Sequence, residues 1–290
     1  MWQQLLQQLK ASDRKALARA ISLVENEVTG YEQFLRSLPV TESSTIVGIT
    51  GPPGAGKSTI ADALIEQYVI GGENICVLCV DPSSPFSFGA VLGDRIRMNA
   101  WYNNPHVYIR SLATRGSLGG LHPKIIEITE LVKAAGFTKI ILETVGVGQS
   151  EVEIAALADI TIVVMVPESG DAIQTMKSGL MEIADLYVLN KSDRPGADLL
   201  LQSLHLMSSE HKEVPIIKMI ATQKEGIGEL MEKIRTYKNT NDPYKKIRLL
   251  ADKAYHLIQN KKMAEISREQ LFEELANSVN VNLYKFIEKY

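Results

Sequence analysis

The sequence has few cysteines, little excess charge and no long apolar run. It contains 290 residues, of which two are cysteines, and its formal net charge is −3. The small negative charge gives no reason to expect nucleic acid or an anionic membrane as a partner. Residues 1–10 are rich in glutamine and lack the apolar stretch of a signal peptide. Because no apolar run is long enough to span a bilayer, we expect a cytoplasmic protein.

The two cysteines, Cys76 and Cys79, form a C-x-x-C pattern, which can bind a metal ion or act as a redox pair. They lie inside the apolar segment 75–80, which is typical of a strand. Residues three apart on a strand point to opposite faces of the sheet. We therefore expect two buried, inert thiols.

Residues 51–58 read GPPGAGKS and fit the phosphate-binding pattern G-x-x-x-x-G-K-[ST]. The strand pattern of 45–50 leads into them and a helical pattern follows, which is the context that the motif requires. The glycines allow successive N–H groups to point inward at the start of the helix, where an anion binds. The Lys57 ammonium would contact the β and γ phosphates, and the Ser58 hydroxyl would bind Mg²⁺. The predicted phosphate-binding residues of this loop are Gly51, Pro52, Pro53, Gly54, Ala55, Gly56, Lys57, Ser58 and Thr59.

A second motif, NKSD at 190–193, follows the strand pattern of 186–190. The Asp193 carboxylate can accept hydrogen bonds from guanine N1–H and from the exocyclic amino group, and adenine has no such pair of donors. The stem of Lys191 can cover the base, and Asn190 can link this loop to the phosphate loop. The motif is weak alone, because these residue types are common in loops. Downstream of a phosphate loop it predicts a guanine site, with GTP or GDP as the ligand.

Strand and helix patterns alternate from residue 45 to about 237. This alternation predicts an α/β P-loop NTPase fold, with a mainly parallel sheet covered by helices on both faces. Ligands of such sheets bind at the carboxyl ends of the strands. The predicted strands are 45–50, 75–80, 107–110, 138–142, 160–166, 186–190 and 215–219. We expect three parts: an N-terminal helical arm at 1–40, a P-loop GTPase domain at 41–240 and a C-terminal helical arm at 241–290. In the first arm, Ser12 is a candidate cap for a second helix.

Three polar segments follow predicted strands at the edge where a nucleotide would bind, at 81–95, 143–146 and 167–171. Such segments suit switches that order around Mg²⁺ and the γ phosphate, and Gly146 could donate its N–H to that phosphate. Their carboxylates could instead cap helices or turns. Several carboxylates near one anion site would repel each other, however, and a bound cation removes this conflict. The predicted Mg²⁺ ligands are Ser58, Asp81, Asp94 and Glu143.

Together with the phosphate loop, the segments 81–98, 143–151 and 170–193 resemble the MeaB/ArgK GTPases, which accompany methylmalonyl-CoA mutase. The segment 13–26 is similar too, and the resemblance covers most of 12–240. It implies a P-loop GTPase with helical arms, usually a homodimer. It further implies a role in protecting an adenosylcobalamin-dependent acyl-CoA mutase and in gating the loading of its cofactor. By position, the family's active-site residues correspond to Lys57, Asp81, Asp94 and Glu143, and its guanine-binding residues to Asn190, Lys191, Asp193 and Ala221.

Two segments depart from the family pattern. Family members usually have a Ser-Ala pair in the last loop that contacts the base, whereas residues 219–222 read MIAT. Ala221 could still supply a backbone N–H to the base, while the absent serine weakens the support of the loop. The C-terminal arm after residue 245 lacks an arginine-rich character, which concerns the dimer contact and not the nucleotide site. The chain contains no D-x-H-x-x-G cobalamin motif, so the cobalamin must belong to a partner.

Two other functions remain open. A nickel-delivering metallochaperone GTPase would share this kind of fold but would need a cluster of cysteines and histidines. A P-loop kinase would need an acceptor pocket and a base for the acceptor hydroxyl. The chain has two cysteines and five scattered histidines, and NKSD favours guanine, which few kinases use. Since no residue is an evident base for the attacking water, we expect slow intrinsic GTP hydrolysis that a partner accelerates.

Overall fold

The computed structural model of the chain forms two compact units, Met1–Asn241 and Asp242–Tyr290. The residues that it describes are 1–41, 44–81, 98–114, 121–144, 153–169, 180–211, 214–239, 243–263, 265–278 and 281–290. Among these residues, no helix is both long and apolar enough to cross a membrane.

A parallel sheet forms the centre of the first unit. Its strands in the described ranges are β1 (Thr45–Thr50), β2 (Ile75–Asp81), β3 (Val107–Ala113), β4 (Lys139–Glu143), β5 (Ile160–Met165), β6 (Leu186–Asn190) and β7 (Ile216–Met219). Their order across the sheet is β3-β2-β4-β1-β5-β6-β7, and each pair of neighbours is parallel. The predicted α/β fold with a parallel sheet is therefore confirmed.

The strand β1 is central and leads directly into the phosphate loop. It pairs with β4 on one side and with β5 on the other. The register places Ile49 opposite Glu143, so the last residue of β4 lies beside the end of β1. Because all carboxyl ends meet at one edge, the loops that follow β1, β4 and β6 can contribute to one site.

Helices cover both faces of the sheet, as its apolar strands require. The helices of this unit in the described residues are α1 (Trp2–Lys10), α2 (Arg14–Glu25), α3 (Tyr31–Arg36), α4 (Lys57–Ile70), α5 (Ile125–Ala134), α6 (Leu180–Ile183), α7 (Ala197–His211) and α8 (Ile227–Asn239). One core cluster joins α4 and α8 to the sheet. A second joins α1, α2 and α5 to the opposite face. Cys79 belongs to the first cluster and Cys76 to the second, and the two cysteines form no disulfide. The thiols thus lie on opposite faces, as predicted.

The N-terminal helices form part of the core of the first unit. Leu17, Ile21 and Val24 recur at helical spacing on α2 and are fully buried. The cap of α2 is Asp13, whose carboxylate accepts the backbone N–H groups of residues 15 and 16. The prediction of Ser12 as the cap was wrong by one residue. Ser12 has a positive φ of 60°, a left-handed conformation that an N-cap, which is extended, does not have.

The second unit is helical. It contains α9 (Pro243–Met263), α10 (Arg268–Ala276) and α11 (Leu283–Ile287). Ser267 caps α10 and Asn282 caps α11, each through a side-chain oxygen that accepts backbone N–H groups. Within this unit the large side chains of Tyr244, Phe272 and Tyr284 are more than 70% exposed. A unit of this size cannot bury much of its apolar surface alone.

Candidate functional site

The phosphate loop has a conformation that requires glycine at two positions. At Gly51 the φ angle is +137°, and a Cβ atom would lie 2.2 Å from the carbonyl oxygen of Val164. At Gly56 the φ angle is +91°, and a Cβ atom would lie 2.3 Å from Nδ2 of Asn190. Any side chain at either position would meet strain as well as a collision. The loop is therefore held closely between β5 and the end of β6.

The Lys57 side chain folds back into this loop. It is 6% exposed, and its Nζ donates hydrogen bonds to the carbonyl oxygens of Gly51, at 2.8 Å, and Pro52, at 3.1 Å. The positive charge thus lies inside the loop at the N-terminus of α4, where the helix dipole also favours an anion. Of the other predicted residues of this loop, Pro53 and Gly54 are exposed at the tip, Ala55 is buried and Thr59 is half-buried.

The Ser58 hydroxyl and the Glu143 carboxylate contact each other at the head of the loop. Ser58 Oγ donates to Glu143 Oε1 at 2.6 Å, and the two residues are 7% and 3% exposed. A buried carboxylate beside a hydroxyl is an all-oxygen donor set of the kind that Mg²⁺ prefers. These two residues therefore fit a magnesium ion held between the phosphate loop and the end of β4.

The other predicted metal and switch residues are only partly described. Asp81 ends β2, and Cys79, two residues earlier, pairs with Glu143. This register brings the backbone of Asp81 to the same edge of the sheet. Asp94 and Gly146 lie outside the described residues. Within the described part of the chain, no three His, Cys, Asp or Glu side chains are grouped so that they could hold a metal ion.

A buried pair of hydroxyl groups links the strand before the phosphate loop to the residue after Glu143. The Oγ1 of Thr144 donates to the Oγ1 of Thr50 at 3.1 Å, and the Thr144 backbone N–H donates to the Ile49 carbonyl at 3.2 Å. Thr144 and Thr50 are 2% and 0% exposed. The loop-facing ends of β1 and β4 are therefore fixed relative to each other. Thr144 lies in the predicted switch segment 143–146, but no pattern in the residue types indicated that its hydroxyl would contact Thr50.

Asn190 joins the phosphate loop to the last loop of the site. Its Nδ2 donates to the Ala55 carbonyl at 2.7 Å, and its Oδ1 accepts the Ala221 backbone N–H at 3.0 Å. Asn190 is 3% exposed, so both hydrogen bonds are shielded from water. Ala221, predicted to offer its N–H to the base, is 5% exposed and begins a short 3-10 turn, Ala221–Gln223.

The remaining residues of the NKSD motif form a turn at the surface. Lys191 is half-buried and has a positive φ of 55°, and the Ser192 N–H donates to the Met219 carbonyl at 3.2 Å. Asp193 is exposed, so its carboxylate is accessible to a ligand. The structure thus brings together the phosphate loop, Glu143, Asn190 and the turn at Ala221 along one edge of the sheet.

An ion pair that the sequence did not predict links this turn to the segment after β5. Arg194 donates to the Glu168 carboxylate, and this hydrogen bond lowers the pKa of Glu168 below its ordinary value. The segment 167–171 was predicted to approach the site, but nothing in its residue types identified Arg194 as its contact. Both side chains are about half exposed, so the pair contributes little to stability.

Known proteins resemble this chain over most of its length. Residues 17–279 match the protein family described as methylmalonyl Co-A mutase-associated GTPase MeaB. A predicted GTPase of Pyrococcus horikoshii is 47% identical over 244 residues, which cover 81% of this chain and 77% of that protein. The GTPase ArgK of Escherichia coli is 33% identical over 291 residues, which cover 96% of this chain and 86% of that protein.

One relative is a larger protein, and one solved structure is similar throughout. The fused isobutyryl-CoA mutase of Geobacillus kaustophilus is 37% identical over 237 residues, which cover 75% of this chain but 22% of that protein. The crystal structure of an LAO/AO transport system kinase has a TM-score of 0.68 and 28% identity, covering 95% of this chain and 85% of that chain. The chain is therefore similar to one part of a fused mutase and to most of the length of separate proteins.

Proposed function

The chain belongs to the MeaB family of methylmalonyl-CoA mutase-associated GTPases, and from that premise we propose that it binds and hydrolyses GTP as a chaperone of an adenosylcobalamin-dependent acyl-CoA mutase. Its own reaction converts GTP and water to GDP and phosphate. In its cellular role it protects the mutase and gates the loading of the cofactor. The chain acts in the cytoplasm as a homodimer, with the helices of residues 243–290 supplying the dimer contact. The exposed aromatic residues of that unit support this last assignment.

The observation that best supports a guanine nucleotide is the pair of buried hydrogen bonds made by Asn190. They fix the base-side turn at Ala221 and the phosphate loop at Ala55 in one arrangement. In this arrangement Asp193 accepts from guanine N1–H and the exocyclic amino group, Lys191 covers the base, and the backbone near Ala221 lies beside its remaining edge. Such preorganisation lowers the entropic cost of binding.

The phosphate end of the site acts through fixed charge. Lys57 neutralises the charge that grows on the β and γ phosphates, and the backbone N–H groups at the start of α4 surround them. Ser58 and Glu143 would hold Mg²⁺, with Asp81 and Asp94 as further ligands; when bound, this ion neutralises phosphate charge. Gly146 donates its N–H to the γ phosphate. Because no motif of the sequence identifies a base for the attacking water, the proposed intrinsic rate is slow and a partner accelerates it.

The fused relative supports the choice of partner. In isobutyryl-CoA mutase of G. kaustophilus a segment similar to this chain is part of the mutase polypeptide. The linkage of the two segments in that polypeptide is consistent with a contact between this chain and a separate mutase. Because adenosylcobalamin chemistry belongs to the mutase, this chain needs no cobalamin site of its own.

The nucleotide assignment is tested by titration calorimetry with GDP and ADP, and with non-hydrolysable GTP and ATP analogues. We expect guanine to be preferred by about 10⁴-fold, because the wrong base would cover the Asp193 carboxylate without donating hydrogen bonds to it. Asp193→Asn should reduce that preference by roughly 10- to 100-fold, since it removes a charged acceptor. Asp198→Asn, which alters an exposed ion pair with Lys218, is the matched control and should change nothing. Equal affinity for ATP would reject the guanine site and favour the kinase alternative.

The partner assignment is tested by capture with purified proteins. The immobilised chain, loaded with GDP or with a GTP analogue, is incubated with methylmalonyl-CoA mutase or isobutyryl-CoA mutase. We expect one of them to be retained in at least one nucleotide state. Retention of neither in both states would remove the chaperone role and leave a GTPase.

A further inference from the structure

Three pairs of neighbouring residues meet at the head of the phosphate loop. They are residues 50–51, where β1 ends, residues 57–58, where α4 begins, and residues 143–144, where β4 ends. All six residues are buried. Each pair shares a side-chain hydrogen bond with each of the other two pairs, so the three pairs form a closed ring of contacts.

Two contacts of this ring involve groups that the proposed ligands would use. Lys57 Nζ donates to the Gly51 carbonyl at 2.8 Å, and Lys57 is the proposed phosphate-binding cation. Ser58 Oγ donates to Glu143 Oε1 at 2.6 Å, and these two side chains are proposed metal ligands. Because Lys57 and Ser58 are adjacent in the chain, the phosphate side and the metal side of the site share one backbone segment.

The third contact closes the ring and is made by two threonine hydroxyls. Thr144 Oγ1 donates to Thr50 Oγ1 at 3.1 Å, and the two residues are 2% and 0% exposed. The register of β1 with β4 ends at Ile49 and Glu143, so this side-chain bond joins the two chains one residue beyond the paired strands. The ring therefore links Glu143 to the phosphate loop by two routes, through Ser58 and through Thr50.

We propose that the hydroxyl pair of Thr50 and Thr144 couples the binding of Mg²⁺ to the binding of the nucleotide. The ion would take protein ligands from Ser58 and Glu143, and the phosphates would contact Lys57. In a closed ring, the ligand that binds first fixes the donors of the second, which then binds at a lower cost of ordering. The two threonines are positioning residues, because they act through their neighbours and contact neither ligand. This proposal rests on the proposed function, since it concerns the same GTP site.

The coupling is measured as the ratio of two dissociation constants for a non-hydrolysable GTP analogue, one in excess EDTA and one in excess Mg²⁺. Mg²⁺ also binds the free analogue, but this contribution is the same for every variant and cancels when ratios are compared. Thr144→Val and Thr50→Val should each lower the ratio by about 3- to 10-fold, the effect of one lost hydrogen bond, and leave the dissociation constant in EDTA within about two-fold. A merely structural role would lower the melting temperature without changing the ratio.

Double and conservative variants separate the coupling from a loss of stability. Because both hydroxyls act through one bond, Thr50→Val combined with Thr144→Val should give the ratio of either single variant and not the product of two effects. This double variant leaves no hydroxyl buried without its partner, so it keeps the test open if a single variant is unstable. Thr144→Ser and Thr50→Ser keep the hydroxyl and should retain the ratio within about two-fold.

A buried threonine elsewhere in the first unit supplies the matched control. The Thr129 hydroxyl donates to the Ile126 carbonyl at 2.7 Å, and Thr129 is 0% exposed. It belongs to α5, which covers the face of the sheet opposite α4. Thr129→Val removes a buried hydroxyl bond of the same kind, and any fall in melting temperature should come without a change in the ratio.

The decisive experiment measures the ratio, the dissociation constant in EDTA and the melting temperature for the wild type and these variants. The predicted result is a lower ratio in the valine variants of Thr50 and Thr144, and a wild-type ratio in the serine variants and in Thr129→Val. An unchanged ratio in the valine variants, or equally weakened binding in EDTA and in Mg²⁺, would overturn the proposal. The wild type separates the two levels. If it binds the analogue equally well with and without Mg²⁺, the coupling alone is refuted; if it binds no guanine nucleotide, the proposed function is refuted as well.

Discussion

Asn190 provides the sharpest test of the site as a preorganised unit. The Asn190→Ala substitution removes both of its hydrogen bonds and leaves the Ala55 carbonyl and the Ala221 N–H without their partner. Ala55 and Ala221 are 0% and 5% exposed, and a buried polar group left unsatisfied costs about 1–3 kcal/mol. Because a water molecule can enter the space left by the side chain, we expect the free energy of unfolding to fall by about 2–4 kcal/mol.

Nucleotide affinity should fall for the same reason. If GDP binds to the arrangement that Asn190 fixes, the variant uses part of its binding free energy to restore that arrangement. A loss of about 2–3 kcal/mol corresponds to GDP binding that is roughly 30- to 150-fold weaker. Calorimetry at a temperature well below the melting transition measures this loss on folded protein. GDP affinity within about three-fold of the wild type would refute the reasoning.

Asn190→Asp is the matched variant. It keeps an oxygen to accept the Ala221 N–H but places a carboxylate against the Ala55 carbonyl, where the native side chain donates. Burial raises the pKa of such a carboxyl, and the protonated form can donate again. GDP affinity of Asn190→Asp should therefore recover as the pH falls, whereas that of Asn190→Ala should not.

Three further predictions concern other parts of the chain. Lys57→Ala should lower GTP hydrolysis by about 100-fold or more, the usual effect of removing one electrostatic group, with the fold intact by circular dichroism; near-normal hydrolysis would reject its role. Burial raises the pKa of the Cys76 thiol far above its ordinary value, so a thiol reagent at pH 8 should label Cys76 and Cys79 only after denaturation, and rapid labelling of the native protein would contradict their inertness. Burial also raises the pKa of Glu127, so protonation of this carboxyl favours folding. That contribution to stability is lost as the pH rises through the folded pKa. Glu127→Gln should therefore raise the melting temperature at pH 8 but not at pH 4, and the opposite order would contradict this reasoning.

The strands of the sheet could be predicted because the local sequence pattern of each strand specifies it. Each strand of a parallel sheet is apolar along its length and is bounded by polar turns, so the seven strands could be read from the sequence. The opposite placement of Cys76 and Cys79 followed from the period of two in a strand. The helix cap at Asp13 was missed because Ser12 and Asp13 are both good capping residues, and only the backbone angles distinguish them.

The site could be predicted only where a motif specifies the chemistry. Residues 51–58 and 190–193 have fixed spacing, so their approach to one another could be expected from the fold. The contacts of Thr144 with Thr50 and of Arg194 with Glu168 join segments far apart in the chain. Such pairs depend on how the loops pack, and common residue types in loops carry no local signal of it.

The central prediction is that a mutase changes the rate at which this chain hydrolyses GTP. The direct measurement is steady-state GTP hydrolysis by the wild-type chain, titrated with a purified adenosylcobalamin-dependent acyl-CoA mutase, with and without its cofactor. A partner that prefers one nucleotide state must change nucleotide affinity or turnover, so we predict a slow basal rate that rises by about 10-fold or more at saturating mutase. Glu143→Ala should uncouple the rate from the mutase without abolishing the complex. An unchanged rate at every concentration, for both methylmalonyl-CoA and isobutyryl-CoA mutases and with or without cofactor, would contradict the account.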